Sequence, residues 1–233
     1  MSTEAAHLAG RLRSITRRAA RVLPSPRTTP LATAMVTLLV LAAVWLRTHP
    51  GQIDEVAAWT STNLHNLARH PVAAMVASAF VVPEGLLPQL IVVALGFAVL
   101  ERAIGAWRTA VVALSGQVFA TLLTEYGAAL GARLNLPVEA APDRLDVGVS
   151  YVMFAVLTAA ALRLHGLTRI VSLVAIGASV LVPIAIAPGL TTTGHLLSVA
   201  IGATSMALLT RRSGRASRRT RLGRDGHPSR PSR

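Results

Sequence analysis

The hydrophobic positions of this chain fall in long blocks, not in the one-faced stripes of a soluble helical domain. Apolar blocks of about 18 residues with few charges read as membrane spans. Six blocks approach or reach that length, at 28–46, 85–100, 108–126, 147–164, 170–187 and 192–210. Pro30 suits the first turn of the first helix, and Pro183 is expected to bend the fifth. Residues 47–70 are mixed: Ile53, Val56, Ala57, Leu64 and Leu67 recur at near-helical spacing beside Asp54, Glu55, His65 and Arg69. That pattern predicts a short amphipathic helix at the membrane surface. The stretch 71–100 is apolar but too long for one upright span, since its helix would reach about 45 Å against roughly 30 Å of hydrocarbon. Pro83, Glu84, Gly85 and Pro88 interrupt it, so 71–82 reads as a half-embedded loop or short helix. Gly127 and Gly131 have GxxxG spacing at a membrane exit and read as close packing or a loop turn.

Composition strengthens this picture. Hydrophobic residues make up 52% of the chain and charged residues 14%, where a soluble domain carries about a quarter charged. No fixed-period repeat is present, which points to one all-α membrane domain over 28–210. A basic arm, 1–27, precedes it. A tail rich in Arg, Ser, Gly and Pro, 211–233, follows and is expected to be disordered. Thr16-Arg17-Arg18 has the form of a twin-arginine export signal but lacks the apolar run such a signal needs, so it reads as part of the arm.

All 23 basic residues are arginines, and they give a net charge of +13. The arginines cluster in the two tails, where few aromatic residues could stack on bases, which argues against a nucleic-acid partner. Contact with an anionic lipid surface accounts for them instead. With the amino terminus inside, 19 arginines fall on the inner side and 4 on the outer. The excess predicts a multi-pass protein of the cell (inner) membrane with both termini cytoplasmic. The all-Arg, Ala-rich bias resembles that of a high-GC genome. Cysteine is absent, which excludes disulfides and thiol chemistry. His65 and His70 lie close in sequence with no third ligand in view, so neither a metal nor a cofactor is expected.

Polar side chains inside a bilayer are costly and need a reason. Glu84, Gln89, Ser115, Gln117, Ser150, Tyr151 and His195 are the candidates. Glu84, beside Pro83, reads as an interfacial residue, with gating as the alternative. Ser150 lies four residues after Asp146, and His195 four after Thr191, so both sit about 6 Å into helices entering from the same side. A serine hydroxyl becomes a nucleophile when an imidazole takes its proton. Ser198 and Gly202, on the His195 face, are small enough for a neighbouring helix to approach closely. Phe154, one turn below Ser150, is placed to stack beneath the imidazole. The alternatives are a serine bonded to its own backbone and a histidine that serves as a helix contact or relay.

These residues resemble the rhomboid family of intramembrane serine proteases. In that family a serine in a Gly-x-Ser-Gly-type motif opens the fourth helix. A histidine opens the sixth in a pattern like Ala-His-x-x-Gly-x-x-x-Gly. Gly148-Val149-Ser150 matches the first motif, and Gly194-His195 followed by Ser198 and Gly202 matches the second, with Ser198 in place of a glycine. Glu101 and Gly105 match a Glu-x-x-x-Gly turn after the second helix. The resemblance covers residues 68–209. Tyr151 departs from it, standing where a small residue follows the serine. In the family's second helix a His-x-x-x-Asn pair holds the oxyanion, and here Gly85 and Gln89 take those places. Trp107-Arg108 follows the second helix, whereas the family's Trp-Arg pair lies in the first outer loop.

The resemblance implies a six-helix rhomboid-like bundle with both termini inside. It implies a Ser150–His195 dyad, with oxyanion support from Gln89 and the Ser150 amide, that cleaves single-span membrane proteins near the outer face. The alternative is a catalytically inactive rhomboid-like protein that binds transmembrane helices. A transporter ranks third, because no internal repeat is present. Substrate identity and oligomeric state are not readable from the chain.

Overall fold

A computed structural model describes residues 23–82, 85–135 and 144–225, with side chains as far as residue 211. Nine α-helices and no strand occur among the described residues. The first, α1 (Pro30–Thr48), starts on a proline, as expected. Its exposed amide ends are met from far along the chain. The buried Glu101 carboxylate accepts from Leu31 N–H at 3.0 Å and Ala32 N–H at 2.8 Å. Two donors that a helix start leaves unpaired are satisfied by one charge, at the end where the dipole favours an anion.

The amphipathic stretch forms two helices instead of one, α2 (Ile53–Thr60) and α3 (Leu64–Arg69). Ser61 and Thr62, both buried, leave the helix because they bond to the segment ahead of Ser150. Ser61 Oγ donates to Arg144 O at 3.0 Å and accepts from Asp146 N–H at 2.8 Å, and Thr62 N–H donates to Asp146 O at 2.9 Å. The Asn63 side chain then caps α3 by accepting from Asn66 N–H at 3.0 Å. Next comes α4 (Pro71–Ser78), the short helix foreseen within 71–82.

The long helices follow: α5 (Leu86–Ile104), α6 (Ala106–Arg133), α7 (Ser150–Arg163), α8 (Gly166–Ile186) and α9 (Leu190–Asp225). Gly105, at φ 85°, turns α5 into α6 in a conformation few other residues adopt. The third span was expected to end at Tyr126, but α6 runs on to Arg133, so Gly127 and Gly131 lie inside a helix. Pro183 falls in the last turn of α8. Backbone helix persists in α9 to Asp225, into the stretch whose composition suggested a structureless tail. Arginine and alanine are good helix formers, and extending a helix already anchored needs no new nucleus.

Five helices are long and apolar enough to cross a membrane: α1, α5, α6, α8 and α9 as far as Arg211. The sixth, α7, has only 14 residues, a length of about 21 Å. It is buried on almost every side, with contacts to α5, α6, α8 and α9. An apolar helix with no polar face belongs at the centre of a bundle. Glycines let its neighbours come close. A side chain at Gly116 of α6 would overlap Ala155 of α7, and one at Gly202 of α9 would overlap the Ala155 backbone.

The six helices alternate in direction. Leu31 meets Glu101 at one end, and there Ile104, Arg108, Arg163 and Thr210 line a single cavity. The start of α1 and residue 210 therefore lie at the same end of the bundle. Ser150 lies at the other.

Candidate functional site

The approach to α7 is built by backbone pinning. Gly148 adopts φ 127°, a conformation that favours glycine, and its N–H donates to Ser78 O at 2.8 Å. Val149, fully buried, precedes Ser150, the first residue of α7. Because α7 is short, Ser150 starts below the ends of its neighbours. Glu125 of α6 connects through Arg144 and Asp146 to Tyr151, yet α6 continues to Arg133, about 12 Å further. His195 likewise follows the start of α9 at Leu190 by about 7 Å.

A buried polar cluster surrounds this level. The Arg144 guanidinium donates to Glu125 Oε1 at 2.7 Å and to Thr191 Oγ1 at 3.1 Å, and lies 3.7 Å from Asp146 Oδ2. Asp146 Oδ2 also accepts from Thr62 Oγ1 and from Tyr151 OH, each at 3.2 Å. Burial disfavours the charged guanidinium, but Asp146 and Glu125 outweigh it and raise the Arg144 pKa above its usual value. Arg144 is therefore a permanent cation joining α6, the segment before α7 and the start of α9.

His195 lies within the same layer. Its ring centroid is 4.7 Å from that of Phe154, tilted by 42°, and 5.9 Å from that of Tyr151, edge-on at 76°. Its Nε2 is buried and has no hydrogen-bond partner. The Tyr151 ring occupies the space beside Gly194, where any side chain would overlap it. Ser198, fully buried, donates to Gly194 O at 2.8 Å, and Gly202 lies against Ala155. The α7–α9 contact thus carries Phe154, Tyr151, His195 and Gly202, with Ser198 buried on the same helix as His195, while Ser150 opens α7 one turn from Phe154 and Gly148 lies in the turn that feeds it.

The other polar candidates lie outside the α7–α9 contact. Gln89 is in the first turn of α5, its Nε2 3.6 Å from where a Gly85 side chain would begin. Glu84 and the Arg17–Arg18 pair lie outside the described residues. Ser115 faces a groove between α6 and α9. Trp107 is 78% exposed at the opposite end. His70 stacks on Trp59 at 4.9 Å, with Nε2 3.0 Å from Trp59 O. Gln117 Nε2 bonds to Met75 O at 3.2 Å and Ser78 Oγ at 3.1 Å. Its Oε1 and the Thr121 Oγ1 one turn on are buried without partners, a pair that one bridging water would satisfy.

Nothing local in the sequence marked the polar cluster as a unit: Asp146 stood only as the start of a helix, Arg144 only among the four outer arginines, and Glu125 at the end of an apolar block. Glu125 was the available signal, being an acid that follows an apolar run and so calls for a cation.

A family description for rhomboid-like proteins matches residues 26–215. No curated protein and no solved structure matches the chain. The match takes in every helix from α1 to α8 and the membrane part of α9, and the chain belongs to the rhomboid-like family.

Proposed function

We propose that this protein is an intramembrane serine protease that cuts single-span membrane proteins, with Ser150 as nucleophile and His195 as base. One observation carries the reading: the His195 ring rests on Phe154, one turn below Ser150, with a buried nitrogen that nothing else occupies. Buried polar atoms are rarely left unpaired without a functional reason. In this reading Nε2 takes the Ser150 proton as Oγ attacks a substrate carbonyl, then returns it to the leaving amine. The Ser150 amide and the Gln89 side chain stabilise the oxyanion. An apolar cleft of about 420 Å³, lined by Val92 and Leu95 of α5, Ile176 and Ser179 of α8, and Phe154 and Leu157 of α7, gives a substrate helix a lateral approach from lipid. A helical backbone hides its carbonyls in hydrogen bonds, so the substrate must unwind locally before attack.

The 19-to-4 arginine split supports placing the Glu101 end and both termini in the cytoplasm and Ser150 toward the outer face of the cell membrane. A second reading has one observation in its favour. No hydrogen bond joins Ser150 to His195 Nε2, as suits a rhomboid-like protein that binds helices without cutting them. A serine-reactive fluorophosphonate applied to membranes decides between the two. Labelling of the wild type that is lost in Ser150→Ala supports the protease. No labelling, together with no cleavage of anchored reporters, supports the helix binder.

A further inference from the structure

Building on the dyad reading above, we propose that Tyr151 is a positioning residue for the base: its ring fixes the orientation of His195, and Asp146 anchors that ring. A base that collects a proton from a serine must keep its ring aimed while its charge changes. In many such sites a third group hydrogen-bonded to the imidazole does this. Here no hydrogen bond reaches either nitrogen of the His195 ring among the described residues, and two aromatic rings hold the imidazole instead. Phe154 supports it obliquely, and Tyr151 meets it edge-on at 76°. Edge-to-face contacts of this kind add to the effect of buried area and prefer one geometry.

The Tyr151 ring can do this because it is itself held at both ends. At its tip, the hydroxyl donates to Asp146 Oδ2 at 3.2 Å. That carboxylate is only 8% exposed and is fixed by Thr62 Oγ1 at 3.2 Å, while its backbone N–H and C=O are bonded to Ser61 and Thr62. Along its side, the ring fills the space beside Gly194, the residue just before His195, where even a methyl group would collide with it. Tyr151, the departure after the serine, and Gly194, a glycine where the quoted histidine motif has alanine, therefore form one contact. The bulk gained on α7 is accommodated by the bulk missing from α9.

The test compares Tyr151→Phe and Tyr151→Ala in full-length protein in membranes, using fluorophosphonate labelling, protein abundance and thermal unfolding. Tyr151→Phe keeps the ring and loses only the tether. Its maximal labelling rate should fall about three- to tenfold, with abundance and the half-saturating probe concentration unchanged. Tyr151→Ala removes the support, and its rate should fall on the order of a hundredfold. A structural role alone would instead lower abundance or melting temperature and leave the rate of the folded fraction intact. If the wild type labels and both variants match its maximal rate, the positioning role is overturned while the protease reading stands. If the wild type does not label at all, both are overturned.

Discussion

The two ends of the bundle solve the same problem with different chemistry. At each, backbone enters or leaves a helix among buried side chains and its polar groups need partners. At the Glu101 end one carboxylate suffices. It caps α1, while Gly105 turns the chain directly into α6. The arginines there, Arg102, Arg108 and Arg163, are exposed. At the Ser150 end a whole network is needed, because α7 stops short and a non-helical segment must descend to it. Ser61, Thr62, Glu125, Arg144, Asp146 and Tyr151 supply that network. The first end is built for a stable turn and the second for holding the start of α7 below the ends of its neighbours.

This contrast can be broken in four ways, taken from the largest expected effect to the smallest. Ser150→Ala and His195→Ala should each reduce cleavage of a membrane-anchored reporter by at least about a thousandfold, and the double variant no further, since nucleophile and base act as one unit. Comparable abundance of the three proteins is part of the expected result. A silent Ser150→Ala with a scarce His195→Ala would reduce both residues to packing.

Arg144→Gln should destabilise the protein by about 2–4 kcal/mol in thermal unfolding, because it strands Glu125 and Asp146 in a largely buried layer. The Arg144 side chain is 14% exposed and that of Glu125 is 3% exposed. A change below about 1 kcal/mol would mean that water reaches the cluster freely.

Glu101→Ala should cost about 1.5–3 kcal/mol through two unpaired amides of α1, while the folded fraction labels with fluorophosphonate at the wild-type rate. A slower rate would show that the two ends are coupled, against the division drawn above. The mildest change, Arg163→Gln at the Glu101 end, should shift stability by no more than about 0.5 kcal/mol in detergent.

Much of this architecture was legible beforehand because hydropathy is a local property. The six apolar blocks correspond to α1, α5, α6, α7, α8 and α9, and the chain does break between α4 and α5, although Pro88, read as part of the interruption, lies in the first turn of α5. Counting from Asp146 put Ser150 four residues inside its helix, but Gly148 and Val149 stay outside it and α7 begins at Ser150; α7 and α9 are nonetheless in contact, with the His195 ring against Phe154. What local patterns missed has a common cause. Ser61 and Thr62 break the amphipathic stretch because their partners lie more than 80 residues away. The cap on Leu31 and Ala32 comes from 69 and 70 residues along the chain. The longer α6 places Ala128 and Gly131 in the interior, where small residues fit against neighbouring helices.

The sequence by itself determined that the chain folds as membrane helices and where most of them break, because the cost of exposing polar backbone to lipid acts on each segment separately. It also determined the order of the serine and histidine motifs that mark a rhomboid-like protein. Only the tertiary structure decided which charges meet. Arg144, Asp146 and Glu125 form one cluster, Tyr151 shares space with Gly194, and Glu101 caps a helix that begins 71 residues earlier. Hydrogen bonds and close contacts are short-ranged and directional, so packing chooses among partners that sequence separation leaves open.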